Sequence, residues 1–181
     1  MRNIVRSDHY FKEPGPDNTD KVIEAVAERL EQTGIKTVVI ASDSGETARR
    51  LSKKIKGKVK LVVISMQALN REIKAELNKI GAVIYENCTP AFRAKDLVPA
   101  KIVYYTLGQG FKVAVEVVTM ATSEGAVKPS ENVIGIGGTG EGADTALIVK
   151  AATPEDMLGS DTNKRLEIRE VIAMPLAKKW W

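Results

Sequence analysis

Apolar positions along this chain switch repeatedly between two spacings. Residues 19–33 carry Val22, Val26 and Leu30 at helical spacing, place the acids Asp20 and Glu24 near the start and stop at Gly34, a pattern that predicts a helix. A β-branched run over residues 37–40 predicts a strand, and the positions Ala48, Leu51 and Ile55 return to helical spacing. Two further apolar runs, 61–65 and 82–85, enclose a helix from about residue 70 to 80 that Gly81 stops. Strands alternating with helices in this way build a mostly parallel sheet covered on both faces. Residues 86–108, with Pro90 and Pro99 as breakers, give no clear element.

The second half begins with a run of a different kind. Residues 110–123 read GFKVAVEVVTMATS, where Lys112 and Glu116 are the only charges. A helix apolar nearly all round is buried, either centrally in the domain or at a subunit contact, and a homo-oligomer is therefore expected. Two strands follow at 132–136 and 145–151, joined by the glycine-rich GGTGEGAD of residues 137–144. Residues 165–169 alternate charge with Leu166 and Ile168, the pattern of a strand with one wet face, expected at a sheet edge. No repeat or low-complexity linker interrupts the chain, so one domain spanning residues 1–181 is expected.

The loop between the 37–40 strand and its following helix carries the first candidate chemistry: Ser42, Asp43, Ser44, Gly45, Glu46 and Thr47. The first N–H groups of a helix have no internal partner and sit at the positive end of its dipole. With the hydroxyls of Ser42, Ser44 and Thr47 they form a set of donors for an anion such as phosphate. The same residues also read as an ordinary helix cap, with Ser44 or Asp43 in that role.

In a parallel α/β sheet, ligands bind outside the carboxyl ends of the strands. The 42–47 loop leaves such an end. If the 132–136 strand runs parallel to the first, Gly137, Gly138, Thr139, Gly140, Gly142, Asp144 and Thr145 open at the same edge. Helices that lead into these strands start there as well, which adds residues 10–19 and the segment holding Gln109, Gly110 and Lys112. The glycines admit close backbone approach to a ligand, with Asp144 and Glu141 as acceptors for its hydroxyls or for a metal; a plain hairpin turn explains them equally. The sequence GIGGTGEGADT has neither the long helix behind a dinucleotide fingerprint nor the Gly-Lys-Ser/Thr of a nucleotide P-loop.

Composition narrows the classes. The 181 residues are 44% hydrophobic and 28% charged, enough for a real core. Net charge is only +4, and the one lysine cluster, residues 53–60, has too few aromatics beside it for a nucleic-acid stacking platform. With no apolar span of membrane length, no signal peptide and a single cysteine, Cys88, a soluble cytoplasmic protein without membrane partners is expected. His9 is the only histidine, so no histidine cluster for a metal is expected, and no complete catalytic constellation is visible. Trp180 and Trp181 read as packed on a neighbour or exposed.

The segment VVIASDSGETARRLSKKI resembles the strand, Ser-Gly loop and helix of the carboxy-terminal domain of pyruvate kinase, where that loop holds the phosphate of a sugar bisphosphate effector. Over most of its length the chain is more similar to the small stand-alone archaeal and bacterial pyruvate kinase alpha/beta domain-like proteins. The shared motifs are YFKEPGPDNT at 10–19, ASDSGETA at 41–48, LGQGFKVAVEV at 107–117, IGIGGTGEGADTA at 134–146 and LEIREVIAMP at 166–175. The resemblance implies a three-layer α/β/α sandwich on a mostly parallel sheet, a small phosphorylated ligand and, for the stand-alone group, flavin mononucleotide in the cleft. It brings no established reaction, and 181 residues leave no room for a kinase's catalytic barrel. Asp43 and Glu46 stand where the kinase loop has a lysine and commonly an arginine. Two acids there oppose a bisphosphate and favour a monophosphate held by neutral donors, with Lys12 or Lys112 near it. Two function classes follow: a phosphorylated-ligand or flavin-binding protein, and a metal-assisted hydrolase or transferase in which Asp144 or Glu141 handles the metal or proton.

Overall fold

A computed structural model of the chain describes residues 3–55 and 58–180. Trp181, and Lys56 of the lysine cluster, lie outside the described residues. The strands are β1 (His9–Phe11), β2 (Thr37–Ala41), β3 (Lys60–Ile64), β4 (Val83–Tyr85), β5 (Asn132–Gly137), β6 (Thr145–Lys150) and β7 (Glu167–Pro175). The helices are α1 (Thr19–Thr33), α2 (Glu46–Lys54), α3 (Arg71–Lys79), α4 (Val98–Tyr105), α5 (Gln109–Ser123) and the single turn α6 (Pro154–Met157). All seven strands join one sheet in the order β1-β7-β6-β5-β2-β3-β4. β6 runs against both its neighbours, while every other pair is parallel.

Alternate residues of the strands feed two cores, giving the three-layer α/β/α sandwich. Val38 and Ile40 of β2 face α1, α2 and α3, where Val22, Val26, Leu51 and Leu77 are buried. Val39 faces the opposite way, toward Phe111, Val115 and Val118 of α5. Each such side chain removed from water contributes about 1.5–3 kcal/mol, which fixes the register of the central strands, since a one-residue slip exposes the whole set. α1 ends where Gly34, at φ 71°, turns its N–H onto the Leu30 carbonyl at 2.9 Å. α3 starts at Asn70, whose side chain accepts from the N–H groups of Glu72 and Ile73.

Two local readings differ from the sequence expectations, and a third resolves an alternative. Pro99 does not break a helix but opens α4, because a proline in the first turn lacks only an N–H that has no intrahelical partner. β7 is not an edge strand: β1 covers its outer side, with His9 opposite Ala173 and Phe11 opposite Pro175. Three residues are too few for their alternation to be read, so β1 was hidden inside the 10–19 segment. α5 is buried within its own chain, against β2, β5, β6 and α4. This is the central one of the two placements expected for it. Trp180 is exposed, one of its two expected states, and donates its indole N–H to the Tyr105 carbonyl.

Candidate functional site

β2 and β5 are parallel neighbours, with Val38 opposite Ile134 and Ile40 opposite Ile136, so the loops that leave them open at one edge of the sheet. The starts of α1 and α5 lie at that edge too, and a cleft of about 930 Å³ opens between these segments. Its size falls within the roughly 300–1,000 Å³ of small-molecule sites. Of the residues singled out from sequence, Ser42, Asp43, Ser44, Glu46, Thr47, Gln109, Lys112, Gly138, Gly140, Glu141 and Gly142 line it. Gly45, Gly110, Gly137, Thr139, Asp144, Thr145 and Lys12 are not among the lining residues.

Gly45 explains the turn into α2. Its φ of 85° is strained for any residue with a side chain, and a Cβ there would stand 2.8 Å from Cγ2 of Ile73. The glycine therefore faces α3, and the cleft receives its neighbours. The Glu46 N–H donates to Ser44 Oγ at 3.3 Å and the Ala48 N–H to Ser42 Oγ at 3.4 Å. Both serines thus serve as caps, but a hydroxyl that accepts still has its own proton to donate. The two acids of the loop are partnered. Asp43 Oδ1 accepts from the Met66 N–H at 2.8 Å and from Ser65 Oγ at 3.2 Å, while Glu46 pairs with Arg49 at 2.8 Å.

Asp144 has a different task from the one its sequence position implied. It is wholly buried, accepting from the N–H groups of Gly15 and Thr139 at 3.1 Å each and from Thr145 Oγ1 at 2.8 Å. A Cβ on Gly110 would lie 2.0 Å from Asp144 Oδ1, so the carboxylate fills the space beside the first turn of α5, where the helix dipole favours a negative charge. The glycine-rich loop is thereby tied to the segment before α1. Thr19 strengthens the tie: its hydroxyl donates to the Pro16 carbonyl at 2.6 Å and accepts from the Ala143 N–H at 3.0 Å. Gly137 serves packing, since a Cβ there would be 2.3 Å from the Gly110 carbonyl.

The opposite wall is one face of α5. Gln109, Lys112, Val113, Glu116 and Val117 recur at three- and four-residue spacing and all line the cleft. The Lys112 ammonium bonds Glu116 Oε2 at 2.9 Å and lies 5.7 Å from the centre of the Tyr105 ring. The other Glu116 oxygen accepts from the Phe92 N–H at 2.8 Å. Lys112 is therefore already paired. Gln109 Oε1 is buried with no hydrogen-bond partner, a condition it shares among the described residues only with Arg49 Nε.

Sequence reasoning missed the loop after β3. Met66, Gln67, Ala68 and Asn70 line the cleft, as do Pro90, Arg50 and Glu116. The signal was present: a third parallel strand must deliver its outgoing loop to the same edge. Cys88 is half-buried at a separate cavity of about 440 Å³, and burial pushes its thiol pKa up, away from reactivity. Among the described residues no three of His, Cys, Asp and Glu are grouped to hold a metal ion.

The family model of the pyruvate kinase alpha/beta domain matches residues 20–149. Among solved structures, the chain is similar to Cryptosporidium parvum pyruvate kinase in complex with ADP, at 15% identity and a TM-score of 0.40, over 72% of this chain and 22% of that one. A second crystal structure of a pyruvate kinase from the same organism matches at 14% identity and a TM-score of 0.42, over 74% and 22% of the two chains. The chain thus spans about a fifth of the length of those kinases. With well over half of its residues matched by the family model, the chain belongs to the pyruvate kinase alpha/beta domain family.

Proposed function

We propose that the cleft binds a small phosphorylated ligand, with its phosphate at the first turn of α2, and that flavin mononucleotide is the first candidate. The observation that carries this reading is the cradle of neutral donors at Ser42, Ser44 and Thr47, set beside two acids of which Glu46 is paired with Arg49 and Asp43 has one oxygen bonded to the Met66 N–H and the Ser65 hydroxyl. A phosphate there would meet the hydroxyl protons of Ser42, Ser44 and Thr47, while the Glu46 and Ala48 N–H groups orient the two serines. The donor set fits a monophosphate better than a bisphosphate, because the lysine on the cleft wall, Lys112, is buried against Glu116 and only Arg50, in an exposed pair with Asp20, is left to meet a second phosphate. Val113, Val117 and the 138–142 loop would flank the rest of the molecule, which brings its own two-electron redox chemistry. The alternative, a metal-assisted hydrolase or transferase, would fall to Glu141, which is exposed on the cleft wall, since the oxygens of Asp144 are committed to Gly15, Thr139 and Thr145.

Flavin fluorescence quenching tests the proposal. Wild-type protein should bind flavin mononucleotide at least tenfold more tightly than riboflavin, a difference of about 1.4 kcal/mol. Ser44→Ala should narrow that preference several-fold by removing one donor, about 0.5–1.5 kcal/mol. Equal affinity for the two forms would remove the phosphate from α2, and binding of neither would end the flavin assignment.

A further inference from the structure

Among the described residues, two cations line the cleft, and they are not held alike. Lys112 is buried against Glu116 of its own helix, and that carboxylate also holds the Phe92 N–H. Arg50 of α2 instead bonds Asp20 of α1 across the gap between the two helices. This pair stands in water, its side chains 38% and 75% exposed, and Asp20 is not part of the cleft wall. An exposed pair of this kind adds little to stability and costs little to break.

The side chain of a helical residue leans toward the N-terminus of its helix, over the preceding turn. Arg50 therefore leans back toward Thr47, three residues earlier on the same face, and both line the cleft. Thr47 belongs to the first turn of α2, which otherwise offers a ligand no cation: Ser42, Ser44 and Thr47 are neutral, Arg49 is paired with Glu46, and Asp43 adds a negative charge. A doubly charged phosphate there has only the helix dipole to balance it unless Arg50 turns to it. Asp20 can spare the arginine, because it is solvated and lies in the first turn of α1, where the dipole favours a carboxylate. In exchange the guanidinium gains two parallel charge-assisted bonds to phosphate oxygens, the geometry its planar fork matches.

Resting on the reading of the cleft as a phosphorylated-ligand site, we infer that Arg50 is the arm that closes on the phosphate: held on Asp20 in the free protein, it swings to the phosphate when the ligand binds. Asp20 is then a competitor for the arm, and the strength of their pair sets how tightly phosphate is held. One arm meets one phosphate and leaves none for a second, which makes a phosphate monoester the class of ligand that this cleft selects.

The probes are flavin mononucleotide and riboflavin, followed by fluorescence quenching. Arg50→Gln should weaken flavin mononucleotide by about tenfold and leave riboflavin unchanged. Arg50→Lys, which keeps the charge without the fork, should recover part of the loss. Asp20→Asn should act in the opposite direction and tighten flavin mononucleotide by about two- to fivefold, since the arm has lost its competing partner. A bridge that only joined α1 to α2 would give both variants the same sign, because either one breaks it. Two results overturn this inference and leave the phosphate reading standing, provided wild type prefers flavin mononucleotide to riboflavin: binding that is unchanged or weaker in Asp20→Asn, or the full preference kept in Arg50→Gln. Equal affinity of wild type for the two flavins overturns both. Should neither flavin bind, inorganic phosphate followed by phosphorus NMR takes their place, with the same opposite signs expected and no binding by wild type overturning both. Asp20 is exposed, so Asp20→Asn carries the test even where an Arg50 variant fails to fold.

Discussion

Gly110 and Asp144 share one small space, and neither can be understood alone. The carboxylate fits beside α5 only because residue 110 has no Cβ; the position it would take lies 2.0 Å from Asp144 Oδ1 and 2.5 Å from Thr145 Oγ1. Gly110→Ala should therefore displace the carboxylate and disturb its bonds to Gly15 and Thr139. We expect a loss of about 1–3 kcal/mol, read as a lower urea midpoint, although alanine is the better helix former by about 1 kcal/mol. A midpoint equal to or above wild type would mean that the space relaxes freely. The sequence showed an acid after a run of glycines, and it read as an acceptor for a ligand. What it did not show is that Gly15, 129 residues away, presents its N–H to that same acid. Long-range hydrogen bonds of this kind leave no local pattern.

At the scale of elements, what could be read from the chain were the pieces with a period of their own. α1 lies over residues 19–33 as its spacing predicts, and β2, β3 and β5 fall on their apolar runs, because the core that buries them demands alternation or continuity. β1, α4 and α6 were missed, being short or opened by a proline. The cleft was legible in outline, since strand direction alone sends the loops after β2 and β5 to one edge; which side chains turn inward was not, as Gly45 and Asp144 show. The missed loop after β3 also holds a pH-sensitive clasp. Glu86, just past β4, accepts from Lys74 of α3 and from the Leu69 N–H at 2.7 Å. The Lys74 ammonium, and after it the Leu69 N–H, hold the Glu86 carboxyl below its ordinary range. Lowered in the folded state, this pKa gives stability that is present above the unfolded value and lost as pH falls through the folded one, from about pH 4 downward. In Glu86→Gln, urea midpoints measured from pH 6 to pH 3 should fall less steeply than in wild type. Parallel curves would show the clasp to be energetically silent.

For the whole molecule, the placement of β6 decides how stability is distributed. Among the described residues it is the one strand that runs backward, and this lets a short glycine-rich hairpin follow β5 where a crossover helix would otherwise be required. The hairpin brings its loop directly to the cleft, and it sets six buried residues, Thr145–Lys150, between β5 and β7 at the middle of the sheet. At the two edges the strands are only three residues long: β1 rests on β7 alone and β4 on β3 alone, and every residue of β4 is only partly buried. Opening β4 exposes little apolar surface, whereas opening β6 breaks two ladders and both cores. Native-state hydrogen exchange should therefore rank the amides in that order, with β4 exchanging through local opening that is nearly independent of low denaturant, and β5 and β6 through an opening that tracks global unfolding. A ligand bound in the cleft should raise the protection of β5 and β6 by RT ln(1 + [L]/Kd), about 2.7 kcal/mol at a hundredfold excess over Kd, and leave β4 almost unchanged. Equal protection gains in β4 would mean that the edge and the centre of the sheet open as one unit, and that the cleft is gated by the whole fold instead of by its own loops.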